Sequence, residues 1–164
     1  MGIVIRKATV NDAPQVAAVM NAVISEGKYT LFDRPVSQEE ERTFISSRSD
    51  RSAVFVAEID GMIVGVQSID LFADFAESVR HVATMGTWLC PDVRGRGIGR
   101  LLAEESFSFA RTNGYTKIVI QVLADNESAL RFYRKLGFTD IGIARQHVKL
   151  GDQFHDEVYL EKFL

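Results

Sequence analysis

Two hydrophobic periods alternate along the chain. Ile3 to Ala8 (IVIRKA) repeats apolar and polar residues with period two, the mark of a half-buried strand. Thr9 or Asn11 with Asp12 then supplies helix-start chemistry, and APQVAAVMNAVI reads as the first helix. Gly27 and KYTLFDRPVS interrupt it. SQEEERTFISSR predicts a second helix, opened by Ser37 with Glu40 three residues on, a capping-box pattern. Two β-rich runs in AVFVAEIDGMIVGVQSIDLF flank Asp60-Gly61, the strongest hairpin signal in the chain. Arg80 to Cys90 predicts a central strand stopped by Pro91, which cannot donate to a ladder. Beyond a glycine-rich loop, Leu101, Leu102, Glu105, Phe107, Phe109 and Ala110 predict the apolar face of a helix ending at Asn113-Gly114. KIVIQVL is a buried strand, and NESALRFYRKLGF a short helix closed by Gly137. TDIGIARQHVKL and FHDEVYLEKFL are strands around the turn Gly151-Asp152. The predicted order is β α α β β β α β α β β, with Phe72 to Val79 expected to be a mobile loop.

Length and composition narrow what this pattern can be. At 164 residues, 46% hydrophobic and 25% charged, the chain fits one domain spanning 1–164, without repeat, linker or low-complexity segment. A formal net charge of −3 argues against attraction of the whole molecule to nucleic acid or anionic membrane, so any anion site must be local. No apolar run reaches membrane-span length and the start lacks a leader pattern, so the expected setting is cytoplasmic, away from membranes. Cys90 is the only cysteine, which excludes an internal disulfide and a thiolate metal site; no metal is expected.

The candidate anion site is PDVRGRGIGRLLAEE, where glycine and arginine crowd the entrance to a helix. A Walker loop would need Gly-Lys-Ser/Thr after its glycines, and no lysine stands there. A dinucleotide fingerprint starting at Gly95 and Gly97 would need glycine where Arg100 sits. Arg94 to Gly99 remains as a loop whose backbone N–H groups can converge on a pyrophosphate, with glycine permitting close approach. A glycine-rich helix entry with solvated arginines has the same spacing, so the loop alone leaves both readings open.

The loop and a second block together resemble the GNAT superfamily of N-acetyltransferases. Its hallmark, Arg or Gln, two residues, Gly, one residue, Gly or Ala, is matched by Arg94-Gly95-Arg96-Gly97-Ile98-Gly99. Its second hallmark is matched by Asn126 at a helix start and by Phe132-Tyr133 ahead of Leu136-Gly137-Phe138. The resemblance covers nearly the whole chain and is nearest in pattern to the phosphinothricin acetyltransferase-like branch. It implies an α+β fold in α/β/α layers: a mixed, mostly antiparallel sheet of about seven strands, splayed between the fourth and fifth, with about four helices around it.

What the resemblance implies for chemistry is acetyl transfer from acetyl-CoA to a primary amine by direct attack. The cofactor arm would lie in the splay as a pseudo-strand, the N–H groups of Arg94 through Arg100 would take the pyrophosphate, and Asn126 would contact the arm. Arg94 or Arg96 is expected to reach an outer phosphate. The oxyanion donor would be a backbone N–H near Leu89 or Cys90, and Tyr133 holds the general-acid position. Phe132, with no acid–base chemistry, is expected to pack. Cys90 reads as a small buried hydrophobe rather than a nucleophile.

The base is where the chain departs from the family, since Thr84 and Met85 stand where some members carry glutamate. Glu26, Glu77, His81, His155 and Asp156 are the substitutes considered, with a water chain as the default. The acceptor is expected to be a small amine or amino-acid analogue, with a peptide N-terminus as the alternative. Acidic residues Glu26, Asp33, Glu39 to Glu41, Asp74 and Glu77 would favour a cationic substrate. A non-catalytic acyl-CoA-binding domain and an arginine-loop nucleic-acid module are the rival classes, and a homodimer through the last strands is a further expectation.

Overall fold

In a computed structural model, which describes residues 2–164, the period-two run at the start is strand β1 (Ile3–Lys7), and a 3-10 turn at Val10–Asp12 leads into α1 (Ala13–Ile24). Thr9, not Asn11, opens that turn: its amide donates to the Asp12 carboxylate at 2.7 Å. Arg6 holds the same carboxylate at 2.8 and 2.9 Å and also reaches Glu58, tying β1 to its neighbour and drawing Asp12 down to about 2.

The second helix, α2 (Gln38–Ser46), starts on the expected box, with Ser37 N–H donating to Glu40 at 2.7 Å and Glu40 N–H to Ser37 Oγ at 3.1 Å. The hairpin β2 (Ala53–Ile59) and β3 (Met62–Leu71) turns at Asp60 and Gly61, whose φ angles of 50° and 80° are the left-handed pair a type I′ turn requires. There follow β4 (Val82–Leu89), α3 (Ile98–Thr112), β5 (Lys117–Leu123), α4 (Glu127–Lys135), β6 (Thr139–Leu150) and β7 (Gln153–Phe163), so the predicted order holds throughout. The loop before β4 carries a short 3-10 turn at Glu77–Val79.

The seven strands form one sheet in the order β1-β2-β3-β4-β5-β7-β6. Every neighbouring pair is antiparallel except β4 and β5, which run parallel and touch only at Val82↔Lys117 and Ala83↔Ile118. Beyond Ala83, β5 stays with β7 along its whole length, from Lys117↔Phe163 to Leu123↔Glu157, and leaves the end of β4 without a partner on that side. That divergence is the expected splay.

Each face of the sheet has its own core. Ile98, Leu102, Ala103, Phe107 and Ala110 of α3, with Leu130 and Tyr133 of α4, pack over Phe55, Ile69, Ala83, Ile118 and Ile120. On the other face Val16, Val19 and Met20 of α1 and Ile45 of α2 cover Val54, Val56 and Val66. The apolar stripe of α3 is turned from the predicted one: Leu101 and Glu105 face solvent, and Ala103 and Ser106 are buried instead. Leu101 lies about 100° around the helix from Leu102, which turns it out of the arc that Leu102, Ala103, Ser106 and Ala110 bury. Among the described residues, no helix is long and apolar enough to cross a membrane.

Candidate active site

Strand alternation decides which backbone groups of β4 are available. Phe72 N–H donates to the Val82 carbonyl and Cys90 N–H to the Val64 carbonyl, both at 3.0 Å. With the register Gly65↔Leu89 between them, the even-numbered residues of β4 turn their amides to β3. The N–H and C=O groups of Met85, Thr87 and Leu89 therefore point into the gap. Of the two amides expected to meet an oxyanion, Cys90's is committed to the ladder and Leu89's faces the gap. The Cys90 thiol is pushed up by burial and by Asp92, which keeps it from thiolate chemistry.

Arg94 does not extend toward a phosphate. Its guanidinium donates to the Leu89 carbonyl at 3.2 and 3.1 Å and to the Glu26 carboxylate at 3.0 Å, bracketing the end of β4 to the segment after α1. The same contact removes Glu26 from the candidate bases.

The rest of the loop has glycine geometry and free amides. Gly95 and Gly97 have φ of 75° and 82°, a conformation that side chains resist. Arg94 N–H bonds to Pro91 and Arg100 N–H to Gly97, so both are spent. The amides of Gly95, Arg96, Gly97, Ile98 and Gly99 have no backbone partner among the described residues, and they lie at the positive end of a 15-residue helix. Gly99 serves packing as well: a Cβ there would stand 3.0 Å from Phe132 Cζ. Phe132 is thus a packing residue where α4 meets α3. The Arg100 side chain pairs with Glu104 at 2.8 Å.

On the α4 side of the gap, Tyr133 is buried between Phe132 and Phe138, with ring centroids 5.0 and 5.4 Å away. Burial pushes its phenol up to about 12 although the Thr87 hydroxyl bonds to it. Their oxygens are 2.9 Å apart. Thr87 Oγ1 also accepts from Gln67 Nε2 at 2.8 Å, and Gln67 Oε1 accepts from Ser106 Oγ at 2.6 Å. A chain of four side chains thus runs from α3 through the sheet to the tyrosine. Because Gln67 occupies one lone pair of Thr87, the Thr87 proton can be given to the phenol oxygen, leaving the phenol proton free to point into the cleft. Asn126 caps α4, its Oδ1 accepting from Ala129 N–H at 3.1 Å, and it lines the same cleft as Tyr133. Its amide nitrogen makes no hydrogen bond among the described residues.

Glu157 of β7, 3% exposed, also lines this cleft of about 210 Å³. Its Oε1 is buried without a partner, and Oε2 lies 3.8 Å from Nε2 of the half-exposed His147. Desolvation raises its carboxyl above the usual range. None of the expected bases is placed this way. His155 bonds to Asp125 at 2.8 Å, Asp156 accepts from Gln146 N–H at 2.7 Å, Glu77 pairs with Arg80, and His81 is exposed. Gln67, Thr87, Ser106 and Glu157 are therefore the residues that sequence reasoning missed. Glu157 is the ladder partner of Leu123, a pairing that only the assembled sheet reveals.

The profile of the Acetyltransferase (GNAT) family matches residues 20–138. An uncharacterized N-acetyltransferase of Methanocaldococcus jannaschii is 29% identical over 104 residues, 63% of this chain; the match spans 46% of that relative, under half its length. A crystal structure of ribosomal-protein-alanine N-acetyltransferase from Brucella melitensis is 28% identical, with a TM-score of 0.92 over 98% of this chain and 99% of that one. A phosphinothricin acetyltransferase from Sinorhizobium meliloti, solved in complex with acetyl-CoA, shares the fold at a TM-score of 0.88 and 20% identity, over 100% of this chain and 89% of that one.

Proposed function

Because the chain belongs to the acetyltransferase (GNAT) family, we propose that it transfers the acetyl group of acetyl-CoA to a primary amine by direct attack in a ternary complex. The observation that carries this reading is one continuous cleft, in which Tyr133 and Asn126 face the unpartnered edge of β4, with five unbonded amides just beyond that strand's end. The residues suit acetyl-CoA as co-substrate. The amides of residues 95–99 would receive its pyrophosphate, the gap-facing groups of Met85 and Thr87 would complete hydrogen bonds with its amide-bearing arm, and the Asn126 amide nitrogen would donate to it.

Glu157 takes a proton from the acceptor's ammonium group, and the free amine attacks the thioester carbonyl. The developing oxyanion meets the Leu89 N–H. As the C–S bond breaks, sulfur receives the Tyr133 proton, and the phenolate recovers one from the nitrogen of the collapsing intermediate. This coupling is needed energetically: a phenol near 12 cannot simply hand its proton to a thiolate whose conjugate thiol lies near about 8.5. Tyr133 acts as a shuttle from nitrogen to sulfur, with the Thr87 hydroxyl steadying the phenolate. The Glu157 proton leaves past His147 to solvent.

A panel of free amines, amino acids and peptides with varied N-termini, followed by thiol release, tests the activity. Wild-type turnover should fall by about 10²–10⁴ in kcat in Tyr133→Phe, with little change in acetyl-CoA affinity. Silence across the panel despite acetyl-CoA binding would show a binding domain, and turnover unchanged in Tyr133→Phe would remove the shuttle.

A further inference from the structure

A second cavity, of about 410 Å³, lies on the opposite face of the sheet, walled by Met20, Val36, Phe44, Val54, Val66 and Trp88. It adjoins the catalytic cleft, because Leu31, Phe32 and Trp88 border both. An acceptor with its amine near Tyr133 would reach the space beneath α2 by passing these three side chains. The walls are apolar and three are aromatic, with Phe32 and Trp88 meeting edge to face at 6.3 Å between ring centroids. That geometry suits a flat ring.

Five polar residues interrupt the apolar lining: Asp33, Arg34 and Glu40 are exposed, whereas Glu41 and Ser68 are buried. Glu41 is 5% exposed and Ser68 8%, and both line the cavity. Neither side chain makes a hydrogen bond among the described residues, whereas the adjacent Glu40 is taken by Arg34 at 2.8 Å and by the cap of α2. A carboxyl in so buried a residue is poorly solvated when no donor is paired with it. Desolvation, with the neighbouring Glu40 charge, holds the Glu41 carboxyl above the usual range. A ligand that brought a donor to this end would satisfy the group that the fold leaves unpaired.

We propose that the cavity beneath α2 holds the body of the acceptor, and that the acceptor class is an arylalkyl primary amine bearing a hydrogen-bond donor at the far end of its ring, received by Glu41 and Ser68. This rests on the amine-acetylation reading above and narrows it. Chemically, the class is a ring of six to nine atoms, a short alkyl chain ending in the amine, and a hydroxyl or N–H opposite.

Trp88 is the chain's one tryptophan, so its emission reports occupancy without any turnover. Tyramine, phenethylamine and ethylamine are titrated onto the full chain without acetyl-CoA, exciting the indole selectively, with equilibrium dialysis as a second readout. Saturable changes are expected with both ring-bearing amines and none with ethylamine, with tyramine binding about tenfold more tightly than phenethylamine. Glu41→Gln should shrink the tyramine advantage while leaving phenethylamine nearly unchanged, and Val36→Phe, at a half-buried position, should weaken both. No Trp88 response to either aryl amine, or equal affinity for ethylamine, would overturn the proposal. Tighter binding and faster acetylation of a peptide beginning with an aromatic residue would also overturn it, in favour of a peptide N-terminus. Binding of tyramine without acetyl transfer would uphold the pocket and sink the transferase reading; acetylation of short amines with no aryl binding would do the reverse.

Discussion

Two regions of this protein bury polar side chains, and they treat them differently. Between α3 and β4, Ser106, Gln67, Thr87 and Tyr133 form a bonded series in which each side chain has a partner. On the acceptor side, Glu157 in the cleft keeps Oε1 buried without a partner, and Glu41 beneath α2 makes no side-chain hydrogen bond, although both residues are almost fully buried. The contrast follows from what each region must do. A group that shuttles a proton needs one orientation before substrate arrives, and a satisfied network supplies it. A group that receives substrate must leave its own valence unfilled, at a cost in stability that the ligand offsets.

The sharpest way to break the comparison is to remove the unpaired oxygen to which the proposed mechanism assigns the base role. Glu157→Gln preserves shape and burial but takes away the base, so kcat/KM at neutral pH should drop by about 10²–10³. In the wild type kcat/KM should rise with pH through a value above the ordinary glutamate range, because burial favours the protonated acid and only the ionised form can accept the amine proton. That limb should vanish in the variant. An unchanged profile would assign deprotonation to water.

The paired region predicts a different signature. Gln67 is fully buried, and Gln67→Leu would strand the buried Ser106 hydroxyl and leave Thr87 only its bond to Tyr133. An unsatisfied buried group costs about 1–3 kcal/mol, so unfolding stability should fall by about that much in denaturant titration. Turnover should fall about tenfold while the KM for acetyl-CoA holds, because Tyr133 is loosened and the amides of the loop are untouched. A loss confined to stability would show that the network holds the core and not the shuttle.

These two regions also mark where sequence reasoning reached and where it stopped. Local chemistry was legible: Ser37 with Glu40, Asp60 with Gly61, and the left-handed glycines at 95 and 97 each act within a few residues. The hallmark spacing pointed to the glycine loop for the same reason. Partnerships made by the sheet were not legible. Ser106 and Gln67 are 39 residues apart and Arg94 and Glu26 are 68 apart, and neither pair meets until β3, β4 and α3 are stacked. Arg94 looked like a phosphate ligand because its distant partner could not be weighed; the Glu26 carboxylate, with the nearby Leu89 carbonyl, claims it first. Glu157 was hidden by more conspicuous neighbours, His155 and Asp156, whose hydrogen-bonding capacity is consumed by Asp125 and Gln146.

The smallest expected effect tests the stability side of the comparison at Glu41, where no chemistry complicates the reading. Its carboxyl is raised by burial first and by Glu40 second, so the folded chain holds that proton more tightly than the unfolded one. The stabilising contribution of that proton is therefore complete below the unfolded carboxyl range and is lost as pH rises through the raised folded value. Glu41→Gln cannot ionise. The difference in unfolding free energy between variant and wild type should accordingly shift in the variant's favour between about pH 4 and about pH 8. The cost of burying the amide itself is the same at both ends of that range and cancels from the shift. Saturating tyramine should reverse the sign at the upper end, because the bound donor stabilises the ionised carboxylate that the free protein leaves unpaired.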